Sequence, residues 1–207
     1  MPDADPNPQA ESPDSAAPAR KRPKPGERRV QILQALATML EQPGAERITT
    51  AALSAKLGVS EAALYRHFAS KAQMFEGLID FVDQSVMGLI RQVTDREPAG
   101  PQQAGRIVAL LLQFAEKNPG MSRVMNGEAL AFEHDRLQER INLLFDKIEA
   151  QLRQSLKTAD VPAANAEVQV TASVLVAFMQ GRLQRFARSG FKRSALEHLE
   201  ASLALML

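Results

Sequence analysis

Residues 49–71 read TTAALSAKLGVSEAALYRHFASK, two short apolar patterns pressed together around Gly58-Val59-Ser60. In the first pattern Leu53 and Leu57 lie four apart and share one helical face, and in the second Leu64 and Phe68 do the same. Thr49 and Ser60 stand where a hydroxyl caps a helix start, and Gly58 suits the left-handed residue that ends a helix. Val59 then fills the angle between the two helices. Short helices joined by a tight glycine turn make a helix-turn-helix, whose second helix offers its outer side to the major groove.

That outer side comprises Ser60, Glu61, Ala62, Ala63, Arg66 and His67, with Tyr65 at its flank. Alanine side chains let a helix sit deep in a groove, and their methyls match thymine methyls, while Arg66 and His67 supply polar contacts. Thr49, Thr50 and the Tyr65 hydroxyl are candidates for phosphate contacts that position without reading sequence. Ser70 and Gln73 have capping-box spacing, so the amide end of the next helix and Lys71 can both face a phosphate. Packing between small helices is the competing role for Tyr65 and His67.

Charge is distributed to match. Residues 1–19 carry four acids and no base, residues 20–71 ten bases and four acids, and residues 72–207 fifteen bases and sixteen acids, all hidden beneath a net charge of +1. A localised positive block concentrates polyanions; a solvated basic face is the alternative.

Six of the twelve prolines precede Lys24, and residues 1–26 lack apolar periodicity, which predicts a disordered tail ending in the basic run ARKRPKPGERR. That run is either a DNA-contacting arm or a solubilising segment. From residue 28 the pattern turns helical, with Val30, Leu33, Ala37 and Leu40 on one stripe until Pro43-Gly44. Helices are expected near 28–42, 49–57, 60–67, 71–95, 102–117, 119–131, 134–158, 164–189 and 192–206, with no trusted strand. The valine-rich run 168–176 is the main ambiguity. Leu137, Ile141, Leu144, Ile148 and Leu152 form a heptad-like stripe that fits either a coiled coil or a bundle core. The domain expectation is a tail over 1–26, a DNA-binding head over 27–72 and a helical regulatory and dimerisation domain over 73–207.

The run LGVSEAALYRHFASK closely resembles the DNA-binding signature of TetR-type regulators. The resemblance implies an all-α homodimer: a three-helix helix-turn-helix head, then a C-terminal helical domain whose last two long helices pair with the partner's. A two-fold dimer implies a palindromic site in double-stranded DNA. Longer segments, RITTAALSAKLGVSEAALYRHFASKAQMFEGLIDF, FAEKNPGMSRVMNGEAL, FEHDRLQERINLLFDKIEAQLRQ and QGRLQRFARSGFK, resemble those members of the family that act in nucleoid occlusion. They imply a protein that antagonises the tubulin-like division protein FtsZ when bound to chromosomal sites. Carried over residue by residue, the implied FtsZ contacts are Leu110, Gln113, Lys117 and Asn118, with Leu89 and Arg91 opposite. Leu89 departs from the basic residue expected there. A ligand-responsive TetR-type repressor is the alternative function.

An enzyme is not expected. The three histidines, at 67, 134 and 198, are scattered, and Glu133-His134-Asp135 points in three directions on a helix, so no metal or other cofactor is implied. Zero cysteines exclude a disulfide framework and suit a reducing compartment, and no apolar run approaches the roughly 20 residues of a membrane span. The expected location is cytoplasmic and nucleoid-associated, away from membranes.

Overall fold

The computed structural model describes residues 26–42, 48–157 and 165–207. The tail read over residues 1–26 lies outside them except for Gly26, as does the Pro43-Gly44 stop. Among the described residues the chain is all-helical: α1 Glu27–Leu40, α2 Thr50–Leu57, α3 Glu61–Tyr65, α4 Lys71–Thr94, α5 Pro101–Lys117, α6 Pro119–Met125, a 3-10 turn Glu128–Leu130, α7 Asp135–Leu156, α8 Ala166–Arg188 and α9 Leu199–Met206.

The stripe of α1 that reaches the core is Ile32, Leu36 and Leu40. The stripe read from Val30 is rotated from it: Val30 is 53% exposed, while Leu33 and Ala37 are only partly buried. Val30 sits in the first turn, short of the helices that α1 packs on. Leu53 from α2, Leu64 and Phe68 from the α3 region, and Met74, Phe75 and Leu78 from α4 close this small core.

Helix α4 leaves the head and becomes part of the body, where it packs on α5 and α7, and α8 packs in turn on those two helices. Every member of the α7 stripe, Leu137 to Leu152, is buried against the bundle, so the stripe is a core face. The valine-rich run is helical, burying Val168, Ala172, Leu175, Val176 and Met179 at spacings of one to four. Three ion pairs lace α4 to α7: Arg136–Glu76 at 2.8 Å, Lys147–Asp83 at 2.9 Å, and Arg140–Asp80 between them.

In the body two helices are shorter than expected. The segment 119–131 splits into α6 and the 3-10 turn because Gly127 takes a left-handed φ of 79°. The C-terminal helix begins at Leu199 instead of residue 192. Upstream of it the Glu116 carboxylate of α5 accepts from the Ser194 hydroxyl at 2.5 Å, the Ala195 N–H at 2.7 Å and the Leu196 N–H at 3.4 Å. Those donors are satisfied without a helix, which fixes 194–196 across α5 as a turn.

Candidate nucleic-acid interface

The interface is built by local chemistry. The Thr49 hydroxyl accepts from the Ala52 N–H at 3.1 Å, capping α2. At its other end Gly58 adopts φ 64°, ψ 39°; its N–H reaches the Ala55 carbonyl and the Val59 N–H the Ser54 carbonyl, a Schellman closure that aims the chain into α3. The Ser60 hydroxyl then accepts from the Ala63 N–H at 3.3 Å. Leu64 and Phe68 are buried, so the opposite side of α3 is left outward.

On that side Glu61, Ala62, Tyr65 and Arg66 are exposed and Ala63 is half-buried. Glu61 is engaged: its carboxylate accepts from the Thr50 hydroxyl at 2.5 Å, pinning the start of α2 to the start of α3. Helix α3 ends at Tyr65, with Arg66 and His67 in the following turn instead of within a helix to residue 67. His67 is half-buried, and its carbonyl accepts from the Arg29 guanidinium. Arg29 also lies 4.0 Å from the Phe68 ring centroid, so a side chain of α1 braces the recognition turn. Nothing in the sequence marks Arg29 for that task; its partners are 38 and 39 residues downstream.

The next helix starts as its spacing predicts. Ser70 accepts from the Gln73 N–H at 3.2 Å, and the Gln73 side chain accepts from the Ala69 N–H at 2.9 Å, one residue earlier than in a strict capping box. Lys71 is not free at this helix start: its ammonium pairs with Glu133, from the turn before α7, and stands 5.7 Å from the Phe75 ring centroid.

Helix α6 joins this head to the body. An ideal Cβ on Gly120 would lie 2.1 Å from the Ala37 carbonyl oxygen, so α1 and α6 meet backbone to backbone. Arg123, 6% exposed, donates to the Gln42 carbonyl at 2.9 Å, pairs with Glu128 at 3.5 Å and lies 5.0 Å from the Phe191 ring centroid. In the sequence Gly120 reads only as part of the Asn118-Pro119-Gly120 break between helices, and nothing there marks Arg123.

Of the residues proposed against FtsZ, Leu110, Gln113 and Lys117 recur at three and four along α5, half-buried for the first two and exposed for the third. Asn118 ends α5, its side-chain amide donating to the Phe114 carbonyl at 2.7 Å. On α4, Leu89 is half-buried and Arg91 exposed, and two residues of helix turn them about 200° apart, so they do not share one groove. Phe81 is 48% exposed two turns before Leu89, on the side of α4 away from the α7 ion pairs. Among the described residues no group of three or more His, Asp or Glu is placed to hold a metal ion, and no helix is long and apolar enough to cross a membrane.

Comparison with known proteins places both parts of the chain in described families. The model for bacterial regulatory proteins of the tetR family matches residues 32–78, and the model for the tetracyclin repressor-like C-terminal domain matches residues 102–207. The nucleoid occlusion factor SlmA of Vibrio vulnificus strain YJ016 is 48% identical over 187 residues, covering 88% of this chain and 95% of that protein. The SlmA of Shewanella woodyi is 49% identical over 176 residues, covering 84% and 89%. Among solved structures, a Rhodococcus transcriptional regulator superposes with a TM-score of 0.70 at 21% identity over 86% of this chain and 92% of that one. The FadR regulator of Bacillus subtilis, in complex with stearoyl-CoA, superposes with a TM-score of 0.66 at 12% identity over 86% and 96%.

Proposed function

The chain belongs to the TetR family and, within it, to the SlmA nucleoid occlusion factors; from that membership we propose that its DNA-bound dimer antagonises FtsZ assembly and so blocks division over the nucleoid. The DNA end of this activity is the α2–α3 unit. Helix α3 enters the major groove with Ala62 and Ala63 towards base edges and Arg66 reaching them from the turn that follows, while Thr49, Tyr65 and Lys71 take phosphates. Glu61 holds α3 against α2 through Thr50, so its part is to set the angle of the reading helix.

Dimerisation is assigned to the free faces of α8 and α9. Val170 is 63% exposed, Val174 44% and Leu205 89%, an apolar set that a two-fold partner would cover. A dimer then presents two α3 helices to the two halves of a palindrome. The FtsZ-binding strip is placed along α5 and the adjoining side of α4. One observation supports it most: Leu110, left half-exposed on a helix whose other leucines, 111 and 112, are buried, with Lys117 two turns on. Phe81 and Leu89 supply apolar contacts from α4, and a cation at the strip's end suits an acidic apolar peptide.

The test is FtsZ assembly with GTP, followed by light scattering and pelleting, with this protein alone, with a selected palindromic duplex and with a scrambled one. Antagonism strengthened by the palindrome, and lost in Leu110→Glu while DNA binding persists, is the expected result. Full antagonism by Leu110→Glu would move the strip elsewhere; no antagonism by the wild type on confirmed DNA would return the chain to ligand-controlled repression.

A further inference from the structure

The ion pair between Lys71 and Glu133 joins the first residue of the DNA-side helix α4 to the body, 62 residues away. Lys71 is 26% exposed and Glu133 10%. Glu133 is tied back to the 3-10 turn: its own N–H donates to the Leu130 carbonyl at 3.0 Å, and Ala129 and Leu130 in that turn are buried. The lysine is the flexible member, with a four-carbon stem and three rotatable donors. By contrast, Lys56 and Arg66 of the same head form no ion pair among the described residues and are exposed.

We propose that Glu133 is a built-in competitor of the DNA backbone for Lys71, an intramolecular carboxylate that withholds this ammonium until a phosphate displaces it. A phosphate arriving at the start of α4 is a second anion on one ammonium, and it must either draw Lys71 away or sit beside a fixed like charge. Drawing it away strands a carboxylate that is mostly removed from water, so each complex forms at a cost that does not depend on base sequence. Glu133 thereby sets the strength of DNA binding without touching a base, and it does so from the segment that connects α6 to α7. The proposal rests on the reading of Lys71 as a phosphate contact.

A double-mutant cycle on the full chain tests it by fluorescence anisotropy, with a palindromic duplex recovered by selection and with a random duplex at one fixed salt concentration. Glu133→Gln, which keeps shape and removes charge, is expected to tighten binding to both duplexes about fivefold, the scale of a partly exposed ion pair. In the Lys71→Ala background the same change is expected to have no effect. Equal tightening in both backgrounds would reduce Glu133 to a contributor to the general field and overturn the proposal. Unchanged or weaker binding by Glu133→Gln alone would also overturn it, making the carboxylate a positioner of the lysine. If Lys71→Ala by itself leaves both affinities unchanged, the phosphate contact is what has failed, and the competition falls with it.

Discussion

Replacing Gly120 with alanine sets two physical effects against each other, and the sign of the outcome decides which governs the junction of head and body. Helix propensity alone favours the change by about 0.5–1 kcal/mol, because alanine loses less backbone freedom than glycine. Packing opposes it: the new Cβ would stand 2.1 Å from the Ala37 carbonyl oxygen, 3.0 Å from its carbon and 3.3 Å from the Leu40 Cβ. Two of those atoms are backbone, so no rotamer change relieves the overlap, and α1 and α6 must part by roughly 1 Å to regain ordinary contact. Overpacking of this kind costs about 1–3 kcal/mol, with the backbone obstruction pointing to the upper half. The net expectation is a loss of about 1–2 kcal/mol, which for a chain of this size lowers Tm by about 2–8 °C. Gly88→Ala is the matched control, since nothing lies within 4 Å of its added Cβ and it sits inside α4. Differential scanning calorimetry of both variants against wild type reads the result. A Tm for Gly120→Ala at or above that of Gly88→Ala would refute the direct contact between α1 and α6.

Thr49→Ala removes an N-cap, costing about 1 kcal/mol of stability, and is expected to weaken specific and random duplexes alike in anisotropy titrations. Arg66→Ala should cost about 1–3 kcal/mol on the palindrome and much less on random DNA; equal losses would place Arg66 on the phosphate backbone. At the other end of the molecule, a hydrogen bond from Arg193 holds the Glu197 carboxyl below its ordinary 4.5, aided by the charges of Arg193 and Arg185 and opposed by burial. A depressed folded pKa gives stability that is present above the unfolded value and lost as pH falls through the folded one. Scans of Tm against pH from 6 downward are therefore expected to drop less steeply below about 4.5 for Glu197→Gln than for wild type; parallel curves would show that this carboxylate is not linked to folding.

What could be read from sequence and what could not divide along contact distance. The helix-turn-helix was legible because each of its devices is local: Thr49 caps an amide three residues on, Gly58 closes its own helix, and Leu64 meets Phe68 across one turn. Periodicity marked the apolar stripe of α7 and favoured a helix for α8, but it left the first open between coiled coil and bundle core and the second ambiguous over 168–176 until the packing decided both. Long-range choices were not. The Arg29 brace spans 38 residues and the Lys71–Glu133 pair 62, so neither leaves a pattern within a window. The late start of α9 depends on Glu116, 78 residues before Ser194; by propensity alone 192–198 reads as helix. The stripe of α1 was misplaced by Val30 because an apolar residue in a first turn counts in the pattern even where no neighbour covers it. The residues assigned to FtsZ came from resemblance, and helix geometry separates one of them, Arg91, from Leu89.

Helix α6 is seven residues long, and every one from Gly120 to Met125 is buried. A segment so short cannot hold itself together; its shape is lent by the neighbours it touches. Since α1 lies on one side of it and α8 and α5 on others, opening either part of the chain strips α6 of part of its support, and a single cooperative unfolding transition is the expected outcome in calorimetry. The head is then not a bead on a string. On that packing, loosening the body is expected to disturb the seat of α1, and a duplex bound at the head is expected to raise the resistance of the whole chain to unfolding.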